Sequence, residues 1–175
     1  MMLKKLLIAN RGEIAIRIAR AAAGLGLGTV SVYSQDDAAS LHVRKTDASR
    51  ALPGTGVPAY LDIDALITAA RETGCDSVHP GYGFLSENAA FAQACAKAGL
   101  VFVGPSPQTL DLFGDKAKAR ALATRLGVPV LPGTGGATTL EEAQAFFQSQ
   151  QGGPGGEGAV MIKALAGGGG RGMRI

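Results

Sequence analysis

Two rhythms of apolar positions alternate along the first 114 residues. Leu3–Ala9, Thr29–Tyr33 and Leu100–Val103 are short runs of the kind found in strands buried on both faces, and Ala48–Leu52 and Asp76–Val78 are shorter ones. Between these runs the spacing changes to that of helices. After the turn Asn10-Arg11-Gly12, a helix begins at Glu13 with Ile14, Ile18, Ala21 and Leu25 as its apolar stripe and Gly24, Gly26 and Gly28 at its end. A second helix follows Tyr60-Leu61-Asp62 and runs to Arg71, with Leu61, Ala65, Ile67, Thr68 and Ala69 inward and Gly74 as its stop. A third is predicted over Ser86–Ala98, capped by Ser86 and stopped by Gly99. Leu41–Thr46 reads as a helical turn, and a short helix runs from Pro105-Ser106-Pro107 to Phe113. Strands alternating with helices predict an α/β class, with a Rossmann-like open, mostly parallel sheet over residues 1–114.

The remaining stretch, 115–175, has a different texture. Asp115 is a good N-cap for a helix that Gly127 and Pro129 end, which puts Lys116 in the first turn. A lysine there opposes the helix dipole, but together with free helix N–H groups it would make an anion site; a solvated surface lysine is the plain alternative. Val128–Leu131 reads as a short strand and Leu140–Gln150 as a helix capped by Thr138 or Thr139. Gln151–Gly158 is loop by composition. Ala159–Ala164 is strand-like, with Val160 and Ile162 on one side and Met161 and Lys163 on the other.

Next comes a glycine run, Gly167-Gly168-Gly169-Gly170, followed by Arg171-Gly172-Met173. Four glycines cannot pack a core; they make a linker or a loop whose N–H groups approach phosphate oxygens. Gly167, Gly169 and Gly172 match G-x-G-x-x-G, but no Walker lysine follows and Met173-Arg174-Ile175 reads as a strand, so neither a P-loop nor a Rossmann turn fits. Strand, glycine loop and returning strand predict a hairpin flap over a nucleotide, with Lys163 neutralising phosphate.

Composition narrows the class. Hydrophobic residues at 46% and charged residues at 18% describe a globular chain. The net charge of +3 is modest and its lysines and arginines are scattered, against a nucleic-acid surface. Cys75 and Cys95 fit no metal spacing and read as reduced and buried. No apolar run reaches membrane-spanning length and no leader pattern precedes the first strand, so the expected address is cytoplasmic. Asp36 and Asp37 follow the second strand where a ribose-binding acid would sit, yet the first turn holds only Gly12, which argues against a nicotinamide site.

The block His79–Asn88, HPGYGFLSEN, is broken by Pro80, Gly81 and Gly83 and must be a loop at the carboxyl end of a strand. It resembles the signature of biotin carboxylases, as do IANRGEIA (Ile8–Ala15) and KALAGGGGRGMRI (Lys163–Ile175). The resemblance spans the whole chain and implies a Rossmann-like N-terminal domain, 1–114, followed by the start of an ATP-grasp domain, 115–175. It implies ATP-dependent carboxylation of carrier-bound biotin with bicarbonate, using magnesium or manganese. ATP contacts would come from Lys116, Lys163, Gly169 and Gly170, and the biotin-side loop from Tyr82 and Gly83. Family members often carry glycine where this chain has Ala166. The family's magnesium ligands and its catalytic, bicarbonate-binding residues map beyond Ile175, so no catalytic or metal-binding residue is expected within 1–175, residues after about 127 should lack sheet partners, and the piece should be inactive alone. Expected partners are a biotin carboxyl carrier and a carboxyltransferase, as domains or subunits, and a second copy in a homodimer; nucleic acid and membrane are not expected. In this family Arg11 and Glu13 are structural. His79 reads as a histidine ordering its own loop, and Glu87 as a helix-start charge. Three alternatives stay open: another ATP-grasp ligase such as a carbamoyl-phosphate-forming enzyme, a nicotinamide-binding module, and a non-catalytic nucleotide-binding or dimerisation domain.

Overall fold

The computed structural model describes residues 2–151, 158–164 and 172–175. The chain divides into two compact units, 1–111 and 112–175.

In the first unit, β1 (Lys5–Ile8), α1 (Gly12–Gly24), β2 (Gly28–Tyr33) and β3 (Ala48–Ala51) are followed by the short α2 (Gly56–Ala59), α3 (Ile63–Glu72), β4 (Ser77–His79), α4 (Ala89–Lys97) and β5 (Val101–Phe102). All strand pairs are parallel, and the order across the sheet is β3-β2-β1-β4-β5. This is the predicted open Rossmann-like sheet.

β1 is apolar at every central position because both its faces are covered. Leu7 points into one core with Val30, Val32, Leu66, Val78 and Phe91, while Leu6 and Ile8 point to the other, against Ala15, Ala19 and Ala22 of α1. The alternation follows from the two-residue period of a strand. The buried stripe of α1 is this alanine row rather than the Ile14-Ile18-Ala21-Leu25 stripe expected; Leu25 is 77% exposed. Small side chains let the helix lie close on the sheet, and Ile18 packs at the border. In α3 the inward residues are Leu66, Ala69 and Ala70, and Leu61 is exposed.

The third helix also starts later than predicted. Ser86 lies in turns, its N–H donating to Gly83 O, and the cap is Asn88, whose side chain accepts from the N–H of Phe91 at 2.9 Å. Gly83 and Phe84 both take left-handed backbone angles, which keeps the chain turning past Ser86.

α5 (Pro107–Gly114) spans the division between the units. In the second unit, α6 (Lys116–Arg125) is capped by Asp115, and α7 (Leu140–Gln150) carries a capping box between Thr139 and Glu142. β6 (Ile162–Lys163) and β7 (Met173–Arg174) form an antiparallel pair, with Lys163 opposite Met173. The predicted strand at Val128–Leu131 is not formed; no neighbouring strand among the described residues pairs with it, and Leu131 O instead accepts from the Arg120 guanidinium at 2.9 Å. Neither α6 nor α7 has a buried residue, and Leu126, Leu131 and Leu140 are exposed.

Candidate functional site

β1 and β4 are neighbours at the centre of the sheet, and the chain builds outward from them in opposite directions. Their carboxyl ends are therefore the switch point at which open α/β sheets leave a crevice. A cavity of about 350 Å³ lies there, lined by Asn10, Arg11, Gly12, Glu13 and Ile14 on one wall and by Tyr82, Gly83 and Phe84 on the other. Tyr82 is 69% exposed at its edge.

The two walls are tied directly. Asn10 is 1% exposed, and its side-chain amide donates to Pro80 O at 2.7 Å and to Tyr82 O at 3.1 Å. Its carbonyl oxygen accepts from the N–H of Arg11 at 2.9 Å. The amide has one orientation open to it, since the opposite one would set oxygen against two carbonyls. Between these contacts sits Gly81, at φ +69°; a Cβ there would lie 2.7 Å from both Asn10 Nδ2 and Ile14 Cγ2. His79 Nδ1 accepts from the N–H of Gly81 at 3.0 Å, and burial lowers its pKa, so the ring is held neutral and orders its own loop.

A second tie runs through charge. The Arg11 guanidinium meets Asp37 at 2.5 and 2.6 Å, and Asp37 also accepts from Tyr60 Oη at 2.8 Å and Ser40 Oγ at 2.9 Å. Arg11 and the hydroxyl groups hold the Asp37 carboxyl well below the usual carboxylate range. The Tyr60 ring stacks on Phe84, with centroids 5.3 Å apart and planes 7° off parallel. Asp36 is likewise engaged, accepting from Ser34 Oγ at 2.7 Å and from the N–H of Gly56 at 2.8 Å. Both carboxylates that sequence reading weighed as ribose ligands thus hold the protein together. The two cysteines are free and buried, and burial pushes the Cys95 thiol up to about 11.

In the second unit, Lys116 is the first residue of α6 and is exposed. The helix N–H groups expected to help it bind an anion are partly taken: Asp115 accepts from Ala117 and Lys118 at 2.9 and 3.1 Å. Lys163 is exposed on β6. Gly169 and Gly170 lie outside the described residues.

A family profile described as "Biotin carboxylase, N-terminal domain" matches residues 2–110, more than half of the chain. The chain belongs to the biotin carboxylase N-terminal domain family. A second profile, "Carbamoyl-phosphate synthase L chain, ATP binding domain", matches residues 115–175. Pyruvate carboxylase of Staphylococcus aureus is 50% identical over 175 residues, which is 99% of this chain and 15% of that protein. Among solved structures, the biotin carboxylase domain of a single-chain bacterial carboxylase is 66% identical, with TM-score 0.82 over 84% of this chain and 34% of that one. The biotin carboxylase domain dimer of Hydrogenobacter thermophilus 2-oxoglutarate carboxylase, a complex with MgADP, ADP and bicarbonate, has TM-score 0.92 at 39% identity, over 99% of this chain and 37% of that one. This chain therefore spans about a seventh of such a carboxylase.

Within that biotin carboxylase frame, Tyr82 and Gly83 come together with the IANRG turn. Sequence reading missed the turn's part in this, taking Asn10 as a simple loop residue. The available signal was an asparagine directly after a strand buried on both faces, where an amide needs partners.

Proposed function

We propose that this segment is the N-terminal part of an ATP-dependent biotin carboxylase, the enzyme that activates bicarbonate with ATP and passes the carboxyl group to N1 of carrier-bound biotin. The match of residues 2–110 to the biotin carboxylase N-terminal domain carries this reading. The cavity at the strand switch supports it, because Tyr82 and Gly83 of the HPGYG block line one of its walls.

Phosphoryl transfer from ATP gathers negative charge on oxygens, and cations and N–H groups must already be in place to receive it. Lys116 and Lys163 are the proposed cations, with Gly169 and Gly170 of the glycine loop donating from the backbone. The antiparallel pairing of Lys163 with Met173 supports a hairpin flap with Lys163 at its root. Tyr82 and Gly83 are proposed on the biotin side. Among the described residues no group of three or more His, Cys, Asp or Glu side chains could hold a metal ion. Carrier and carboxyltransferase partners, and a second copy of the chain, complete the proposed assembly. The described helices include none long and apolar enough to cross a membrane.

One observation favours a second reading. Residues 115–175 match an ATP-binding domain described from carbamoyl-phosphate synthase, so an ATP-grasp ligase with another nucleophile would share this unit. ADP release by the full-length gene product, with bicarbonate and magnesium, separates the two. Stimulation by free biotin supports the carboxylase; dependence on ammonia instead supports the alternative.

A further inference from the structure

We propose that Asn10 is a positioning residue for the biotin-side loop: its buried amide fixes the main chain on either side of Gly81 and thereby sets where Tyr82 and Gly83 meet biotin. The inference rests on the proposed assignment of those two residues to biotin.

The geometry is specific. One amide nitrogen donates to the carbonyls of Pro80 and Tyr82, at 2.7 and 3.1 Å, and so fixes two peptide units that bracket a single glycine. Gly81 cannot carry a side chain, because its Cβ would strike that same nitrogen. The loop is thus shaped to close on Asn10, and Asn10 has both side-chain atoms committed, its oxygen holding the N–H of Arg11. Asn10 itself lines the cavity, on the wall facing Tyr82. A loop built of proline and glycines has no regular hydrogen-bond ladder to place its carbonyls, so an outside donor must do it. An aspartate of the same shape would keep the acceptor for Arg11 but turn an oxygen toward both carbonyls and push the loop away.

The test compares the full-length Asn10→Asp and wild-type enzymes by ADP release, varying free biotin and ATP separately. The expected result is a KM for biotin raised roughly tenfold, as a small misplacement of a substrate-positioning loop can produce. The KM for ATP and the biotin-independent ADP release should stay within about twofold of wild type. Asn10→Ser, which adds no charge and is too short to reach either carbonyl, should give the same split, and it carries the test where the aspartate fails to fold. Unchanged biotin kinetics overturn the inference, as does a parallel rise of both KM values, which would mark a general loss of structure. A wild-type enzyme whose ADP release ignores biotin overturns the functional assignment itself, and the inference with it.

Discussion

Arg11 and Asp37 meet in a two-pronged ion pair, Nε on Oδ2 at 2.5 Å and Nη2 on Oδ1 at 2.6 Å. The pair is lopsided: the arginine side chain is 47% exposed and the aspartate 10%. Solvent screens the outer partner, while the inner one is the acceptor for Tyr60 and Ser40 as well.

That asymmetry predicts unequal costs. Asp37→Ala should lower the unfolding free energy by about 2–3 kcal/mol, because the buried Tyr60 hydroxyl loses its acceptor. Arg11→Met should cost only about 1 kcal/mol, since Asp37 keeps its hydroxyl donors and the guanidinium was half in water already. Urea denaturation of the two variants checks the order. Equal costs would place the stabilisation in the ion pair itself instead of in the carboxylate that several groups share.

His42 sets a pH dependence. It is 1% exposed, its Nε2 lies 3.1 Å from Val32 O, and among the described residues its Nδ1 has no hydrogen-bond partner. Burial lowers its pKa below 6.5, and Arg11 lowers it too, against the opposing pulls of the Val32 carbonyl and Asp37. A histidine whose folded pKa is depressed binds more protons when unfolded, so stability falls as pH drops through 6.5 toward the folded value. His79, lowered by burial, adds in the same direction. Asp37 acts further down: its stabilisation is present above 3.8 and is lost as pH falls below that. Melting temperature should therefore decline from pH 8 to pH 5, and His42→Gln, which keeps a donor for Val32 O, should flatten part of that decline. A slope unchanged in the glutamine variant would refute the assignment to His42.

Gly81 and Gly83 share φ +69° but not their surroundings: a Cβ would clash at Gly81 and meet nothing within 4 Å at Gly83. Gly83→Ala should cost about 1 kcal/mol, for backbone conformation alone. Gly81→Ala adds overpacking against Asn10 and Ile14 and should cost about 2–4 kcal/mol. Chemical denaturation of both variants reads the difference, which measures how tightly the loop sits on the IANRG turn.

Much of the sheet was legible because a strand buried on both faces leaves an unbroken apolar run, as Leu6, Leu7 and Ile8 do. Helix faces were harder to read. Size drew attention to Ile14 in α1 and to Leu25 just past its end, but it is the small Ala15, Ala19 and Ala22 that let the helix approach the sheet. The loop His79–Asn88 stood out by its proline and glycines, and its place at a strand end followed from them. What could not be read was its partner: nothing in local spacing says that Asn10, about seventy residues earlier, donates into it. Such contacts come from parallel strands that lie adjacent in space, not in sequence. The cap at Asn88 was missed for a local reason, since serine and asparagine are equally good caps and only the turn begun at Gly83 decides between them. That choice can be checked: Asn88→Ala should cost about 1 kcal/mol and Ser86→Ala almost nothing.

Lys163 allows the proposed nucleotide flap to be tested apart from the fold. Its side chain is exposed on a two-residue strand, and its backbone partner across the hairpin is Met173. Replacing it by alanine should therefore leave the melting temperature within about a degree, as for a surface substitution. If its charge meets phosphate, the full-length Lys163→Ala enzyme should have a KM for ATP raised at least tenfold, or a comparable loss of kcat if the contact forms only as phosphoryl charge develops. Lys163→Arg, which keeps the charge, should recover a large part of either loss. The KM for biotin, measured alongside, separates a loss at phosphate from a general loss of structure. Loss of ATP kinetics restored by arginine would assign the charge. A fully active alanine variant would leave phosphate recognition to the glycine loop and to Lys116.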